Sequence, residues 1–255
     1  MDARTGLPVV GIVGAGQLAR MCQPPAIELG LTLRVLAAAP DESAALVIPD
    51  SVIGDHDDLD DLRRFAAGCD VVTWDHEHVP GSHIATLAAE GVAVRPHAAA
   101  LRFAQDKGDM RRRLTELEVP CPEWVDLEHA DDVKGALLAF GARVGWPLVL
   151  KASRHGYDGK GVWMVDDLDD AADLLASGTA LLAEELVPLA RELAIDVARN
   201  PAGQFAAWPV VETVQRDGIC VEVLVPAPSL DTALESEARS IARTIAEALD
   251  VTGVL

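Results

Sequence analysis

The densest chemistry in the chain lies in Val149-Leu150-Lys151-Ala152-Ser153-Arg154-His155-Gly156-Tyr157-Asp158-Gly159-Lys160-Gly161-Val162. The pattern reads as a strand ending at a lysine, a loop carrying three glycines and the cationic side chains of Arg154, His155 and Lys160, and then another strand. Glycine frees backbone amides to approach an anion, and neighbouring lysines supply the opposing charge, so this composition suits a phosphate cradle. Asp158-Gly159 is also a common turn pair, so a plain hairpin is the competing reading. A hairpin alone has no need of so many cations in an acidic protein.

Further on, Leu181-Leu182-Ala183-Glu184-Glu185-Leu186-Val187-Pro188 reads as a strand running into an acidic linker, and Arg191-Glu192 follows. Such a linker could clamp a flat base between two sheets, with Glu192 accepting hydrogen bonds from ribose hydroxyls. Taken singly, each glutamate is more simply a solvated surface residue. Near the start, Gly14-Ala15-Gly16-Gln17-Leu18-Ala19 follows a strand and opens a helix, in the manner of the G-x-G-x-x-G/A turn that brings a phosphate to a helix N-terminus. A nicotinamide site also calls for an acid about 20 positions later, at the end of the second strand. That position runs Val35-Leu36-Ala37-Ala38-Ala39, with Asp41 arriving too late. A turn needed only for packing and a site for a small phosphorylated substrate are the remaining options. His76 and His78 share one face of a strand beside Asp75 and Glu77, which permits a two-histidine metal site, but no third ligand is evident nearby. Arg111-Arg112-Arg113 reads as the solvated face of a helix.

The elements that must hold these residues divide into two patterns. In the first hundred residues, strands expected at 9–13, 31–36, 70–74 and 92–94 alternate with helices after Gly16, at 57–67 and at 83–89, which argues for an open parallel sheet covered on both sides. Pro24-Pro25 should end or kink the first helix. A helix is expected over 98–117, broken by Pro120 and Pro122, where the domain boundary is placed. Beyond it the expectation is a helix at 130–140, strands at 147–151, 161–165 and 181–185, and a short helix at 171–176. Strands of an antiparallel sheet follow at 192–198, 206–211 and 219–225, and then a helix at 231–249 with an apolar stripe of Ala238, Ile241, Ala242, Ile245 and Leu249. Residues 251–255 begin like a strand.

Of 255 residues, 50% are hydrophobic and 24% charged, a globular composition. The formal net charge of -20 disfavours nucleic acid and anionic membrane surfaces as partners, so any nucleotide pocket must be built from a few well-placed cations. Cys22, Cys69, Cys121 and Cys220 are scattered, as free thiols in a reducing compartment would be. No stretch reaches the ~20 apolar residues of a membrane span, and a cytoplasmic location is expected.

A lysine-ended strand, Gly156-Tyr157-Asp158-Gly159-Lys160-Gly161, Glu184-Glu185-Leu186-Val187 and Arg191-Glu192 together resemble the ATP-grasp superfamily, and its 5-(carboxyamino)imidazole ribonucleotide synthase branch in particular. The motif at 14–21, Thr73-Trp74-Asp75-His76-Glu77-His78-Val79-Pro80, Gln105-Asp106-Lys107 and Trp208-Pro209-Val210-Val211-Glu212-Thr213 are similar to that branch in the same order. The resemblance implies an N-terminal Rossmann-like pre-ATP-grasp domain over 1–100, a helical linker over 101–125, a small ATP-grasp subdomain with the phosphate loop over 126–187, and a partial C-terminal ATP-grasp subdomain over 188–255. It implies ATP-dependent carboxylation of 5-aminoimidazole ribonucleotide with bicarbonate through carboxyphosphate, giving ADP and phosphate. In that scheme Lys107 and Lys151 meet the ATP phosphates, together with the loop amides of Gly156, Gly159 and Gly161. Tyr157, Asp158 and Lys160 face the intermediate and the imidazole. Glu184, Glu185 and Val187 line the adenine, and Glu192 holds the ribose. Gly16, Gln17, Leu18 and Glu77 receive the nucleotide substrate, and Arg111 falls at a basic position near the nucleotide cleft. A homodimer is a further expectation of the resemblance.

Departures from the pattern are Lys107 where an arginine is usual, which keeps charge but loses the planar fork, Gln215 where a histidine is common, and Pro24-Pro25. The two acidic magnesium ligands are expected beyond Leu255, so the C-terminal subdomain is expected to be incomplete, and no turnover is expected from the 255 residues alone. A different ATP-grasp ligase with another acceptor, or a non-catalytic nucleotide-binding module, are the alternatives.

Overall fold

The computed structural model describes residues 1–156 and 160–255. It contains two units, one formed by 1–102 with 251–253, the other by 103–250 with 254–255.

In the first unit, β1 (Val9–Val13) leads through the glycine turn into α1 (Gln17–Met21) and α2 (Gln23–Glu28), followed by β2 (Thr32–Ala37), β3 (Ser51–Ile53), α3 (Leu59–Ala66), β4 (Val71–Trp74) and α4 (Gly81–Ala89). The Pro24-Pro25 pair divides the first helical stretch in two, because proline has no N–H to continue a ladder yet fits the first turn of the next helix. The sheet order is β3-β2-β1-β4, with parallel pairing throughout. Apolar β1 and β2 are covered on both faces. One layer is built on Leu62, Phe65, Ile84 and Leu87, the other on Ala19, Ala26 and Ile48. Asp58 caps α3 by accepting from the N–H of Asp60 (2.8 Å) and Asp61 (3.1 Å).

Two expectations about this sheet need correction. The stretch 92–94 makes only a bridge of Val94 to Val72, because Arg95 leads directly into Pro96, which cannot donate to a ladder. The fourth strand is instead β3, three residues long and too short to show a period in the sequence.

Residues 98–117 are not one helix but two, α5 (Ala98–Gln105) and α6 (Lys107–Glu116). Asp106 lies between them in extended conformation and caps α6 by accepting from Asp109 N–H at 2.9 Å. The second unit continues with β5 (Trp124–Asp126), α7 (Val133–Val144), β6 (Leu148–Ala152), β7 (Val162–Val165), α8 (Ala172–Ala176) and β8 (Leu181–Glu185). These strands form an antiparallel sheet in the order β5-β8-β6-β7. One face, with Leu148, Leu150, Leu181 and Ala183, packs on Leu137 and Phe140 of α7.

The remainder contains β9 (Glu192–Ala194), β10 (Val197–Arg199), β11 (Phe205–Ala207), β12 (Val211–Arg216), β13 (Ile219–Leu224), α9 (Thr232–Ala248) and β14 (Gly253–Val254). The three strands expected over 192–225 are five, β9 to β13, and with β14 they make two sheets, β13-β12-β9 and β11-β10-β14. Pro209 separates β11 from β12, and Trp208 N–H donates to Asp196 O (2.9 Å), extending the β10–β11 register by one pair before the proline ends it. The α9 stripe buries Ala242 and Ala246 against Val197.

Candidate functional site

The loop between β6 and β7 is held at its root by backbone hydrogen bonds. Lys151 pairs with Val162 across the hairpin, and Ala152 N–H donates to Gly161 O at 2.8 Å. Ser153, buried, donates its N–H to Ala180 O and receives the N–H of Lys107 on its own carbonyl, both at 2.9 Å. The N-terminus of α6 is thereby fastened to the start of the loop. Glycine is required at two positions here. Gly161 has φ +75°, and a Cβ on it would lie 3.2 Å from Ala152 Cβ and 3.3 Å from Gly156 Cα. A Cβ on Gly156 would lie 2.9 Å from Lys160 O and 3.5 Å from Lys107 Nζ, so the Lys107 ammonium stands directly over Gly156. The stretch is a hairpin, and the Lys107 ammonium lies at its base. Tyr157, Asp158 and Gly159 lie outside the described residues. Lys160 is exposed in the turn before β7.

The cations are not all arranged as composition suggested. Arg154 is held by two carboxylates, its Nε 2.9 Å from Asp106 Oδ2 and its Nη2 2.9 Å from Glu128 Oε1. It ties the loop root to the α6 cap instead of adding to the cradle. Asp106 thus serves both the cap and the loop.

Lys151 lies opposite Leu182 in the β6–β8 ladder, which makes Glu184, two residues on, its diagonal neighbour on the same face. Its Nζ is 2.6 Å from Glu184 Oε2, and Arg111 Nε of α6 is 2.7 Å from Glu184 Oε1. Glu184 is only 3% exposed, so the reading of it as a solvated surface residue is wrong. Burial pushes its carboxyl pKa up, but the hydrogen bonds and charges of Arg111 and Lys151 outweigh burial and hold it below the ordinary glutamate value. The arginine run is a solvated face only in part, since Arg111 is drawn in while Arg112 and Arg113 keep much of their exposure. Arg112 pairs with Asp109 (2.7 Å) and Asp126 (2.6 Å), and Arg113 with Glu116 (2.9 Å), so α6 lies over the β5–β8–β6 face with Arg111 and Arg112 directed at it.

Glu185 points the other way along the strand and accepts from Glu123 N–H at 2.9 Å. Leu186 and Val187 follow it and are exposed, offering an apolar edge. Glu192 stands on β9 opposite Thr213 of β12, in the next sheet. Its neighbour Arg191 is engaged elsewhere, with Glu212 and with Pro228 O.

In the first unit, Gly14 has φ +103°, and a Cβ there would come within 2.8 Å of Asp75 Cβ. Gly16 N–H donates to Asp75 Oδ2 at 2.7 Å. The turn amide offered to a phosphate therefore already holds an anion of the protein's own. Gln17 Oε1 accepts from Ser43 Oγ at 3.0 Å, Leu18 is exposed, and Glu77 follows β4 in the same turn as Asp75 and His76. His76 stacks on His78 with ring centroids 5.4 Å apart and meets His56 edge-on at 4.8 Å. Burial, then the nearby His56 and His78, push the His76 pKa down, and its Nδ1 accepts from His78 N–H at 3.2 Å. Among the described residues no group of three or more His, Cys, Asp or Glu side chains is arranged to hold a metal ion.

Lys107, Lys151, Gly156, Gly161 and Glu184 thus meet at one place. Val187 and Glu192 stand on other stretches of the second unit, and Gly16, Gln17, Leu18 and Glu77 belong to the first unit. Sequence reasoning missed Asp106, Glu128, Ser153 and the neighbour set of Asp75. Only Asp106 carried a usable local signal, a cap-forming residue three positions before Asp109.

The family of this arrangement is decided by comparison. The profile of the ATP-grasp domain matches residues 112–255, more than half of the chain. The chain belongs to the ATP-grasp family. The Ribonucleotide synthetase preATP-grasp domain matches residues 7–105, so the parallel sheet is the pre-ATP-grasp domain and the antiparallel sheets belong to the ATP-grasp domain. Curated relatives include the N5-carboxyaminoimidazole ribonucleotide synthases of Mycobacterium tuberculosis, 51% identical over 97% of this chain, and of Corynebacterium ammoniagenes, 46% identical over 98%. The chain spans 58% and 60% of the length of these two relatives. Among solved structures, carboxyaminoimidazole ribonucleotide synthase from Aspergillus clavatus complexed with ATP matches with a TM-score of 0.88 at 32% identity, covering 97% of this chain and 65% of that one. The enzyme from the same organism in complex with ADP and 5-aminoimidazole ribonucleotide matches with a TM-score of 0.86 at 30% identity, over 97% of this chain and 64% of that one. No helix of the described residues is long and apolar enough to cross a membrane.

Proposed function

We propose that the chain supplies the ATP-gripping part of an enzyme that carboxylates 5-aminoimidazole ribonucleotide with bicarbonate, consuming ATP through carboxyphosphate and releasing ADP and phosphate. The observation that carries this reading is the convergence of Lys107, Lys151 and Arg111 at the root of a glycine loop in an otherwise strongly acidic protein. Phosphoryl transfer asks chiefly for positioning and for positive charge near the transferring group, and the cluster offers both.

In this reading Lys107 and Lys151 meet the phosphates over Gly156, Gly159 and Gly161. Tyr157, Asp158 and Lys160 close over the reacting groups, which keeps water from carboxyphosphate. The backbone at Glu184, Glu185 and Val187 lines the adenine, where exposed Leu186 and Val187 supply apolar surface, and Glu192 accepts from the ribose. Gly16, Gln17, Leu18 and Glu77 receive the imidazole nucleotide. The proposed divisions lie at 100, 125 and 187, and the phosphate site draws on both sides of the one at 125. Magnesium accompanies ATP in such chemistry, but the described residues present no metal-binding group, so no ligand is assigned among them and no step is routed through the ion. A cytoplasmic location and a homodimer complete the proposal.

Isothermal titration of the chain with Mg-ATP tests the core of it. Lys151→Met is expected to weaken binding by about tenfold or more, the size of one charge-assisted contact. Binding that is unchanged in Lys151→Met would remove the lysine from the site. For turnover, a protein of the relatives' full length should release ADP only when bicarbonate and 5-aminoimidazole ribonucleotide are both present. ADP release with glycine-type or biotin-type acceptors instead would assign a different ligase.

A further inference from the structure

Lys151 presents a difficulty for a phosphate ligand. Its ammonium is 2.6 Å from a buried carboxylate, and a lone Lys–Glu pair is neutral, so an incoming phosphate would have to compete with Glu184 for it. Arg111 changes this balance. It takes the other oxygen of the same carboxylate at 2.7 Å, and its own side chain is 16% exposed against 24% for Lys151. Two cations on one anion leave a net charge of +1, and the more exposed of the two cations is the lysine. Beside that carboxylate and still partly in contact with water, a cation in the inner place keeps its proton.

We infer that Arg111 is a positioning residue for the ATP phosphates. By sharing Glu184 it keeps Lys151 oriented yet not neutralised, so that the group of three presents one positive charge to an anion. The inference rests on the ATP reading above and adds to it a residue that acts through Lys151 without touching the nucleotide. The alternative is that Arg111 only fastens α6 to the sheet.

Titration with Mg-ATP separates the two, using the whole chain, Arg111→Met, Arg111→Lys and the double variant Arg111→Met/Glu184→Gln, with circular dichroism confirming that each is folded. Arg111→Met leaves a closed neutral Lys151–Glu184 pair and should bind about tenfold more weakly. Removing the carboxylate as well releases Lys151, so the double variant should recover to within about threefold of the unaltered chain. Arg111→Lys, which keeps the charge, should also stay within about threefold. A fastening role predicts no recovery in the double variant, since the link from α6 to the sheet remains broken. A folded double variant no tighter than Arg111→Met would overturn the inference, as would Arg111→Lys binding as weakly as Arg111→Met. Both results leave the ATP reading standing, whereas an unaltered chain that does not bind Mg-ATP would overturn both.

Discussion

Replacing Glu184 by Gln removes one negative charge from a place where two cations converge, and the structure sets the size of the effect. The residue is 3% exposed, while the Arg111 and Lys151 side chains are 16% and 24% exposed. Removing one partner from a buried ion pair costs about 3–5 kcal/mol, mostly through the charge left unpaired. Here both cations keep some water, and the amide oxygen can still accept one hydrogen bond, which puts the expected loss near the lower bound, about 3 kcal/mol. For a chain of this length that corresponds to a drop in Tm of roughly 6–12 °C, at about 2–4 °C per kcal/mol. The pH dependence has a definite sign. The Glu184 pKa in the folded protein lies below its ordinary value of 4.5, so its contribution is fully present above that value and fades as pH falls through the depressed pKa. The difference between the unaltered chain and Glu184→Gln should therefore be constant near neutrality and shrink in acid. Thermal unfolding followed by circular dichroism across this range measures both. A drop of less than about 2 °C at neutral pH, the size of an ordinary surface change, would refute the reasoning. So would a difference that does not narrow in acid.

Gly161→Ala should lose about 1–2 kcal/mol in urea unfolding, because an L-residue resists φ +75° and the new Cβ meets Ala152; unchanged stability would mean that the loop root is not built as described. Asp106→Ala should remove the α6 cap, worth about 1 kcal/mol, and release Arg154. Hydrogen exchange should then quicken together in the first turn of α6 and at residues 153–156, and exchange confined to one of them would break the link drawn between cap and loop. Leu62→Ala, at a fully buried position of the parallel-sheet core, should cost about 2–5 kcal/mol by urea titration. A loss below about 1 kcal/mol would place Leu62 outside a packed core.

Much of the architecture could be read from the chain before any coordinates. Alternation of apolar strands with amphipathic helices located β1, β2, β4, α3 and α4, and the runs at 147–151 and 181–185 located β6 and β8. The misreadings share one cause, that short elements carry too few residues to show a period. That hid β3 and β5, promoted the bridge at Val94 to a strand, and merged α5 with α6 across Asp106. In the site, Lys151, Gly156 and Gly161 were legible because glycine and lysine at a strand end are local signals. Read from their neighbours alone, Arg111 and Glu184 looked solvated, since nothing within a few residues of either announces a partner; only the resemblance set them near a nucleotide.

Sequence alone determined which local conformations were available and which side chains were present to bind an anion, because helix caps, glycine turns and strand alternation act over two to four residues. The tertiary structure decided which carboxylate serves which cation. Glu184 meets Arg111 across 73 residues and Lys151 across 33, and Asp75 reaches the Gly16 amide across 59. Those pairings depend on strand order and on where a helix lies over a sheet. They settle which cations are held by carboxylates and which amide already carries an anion.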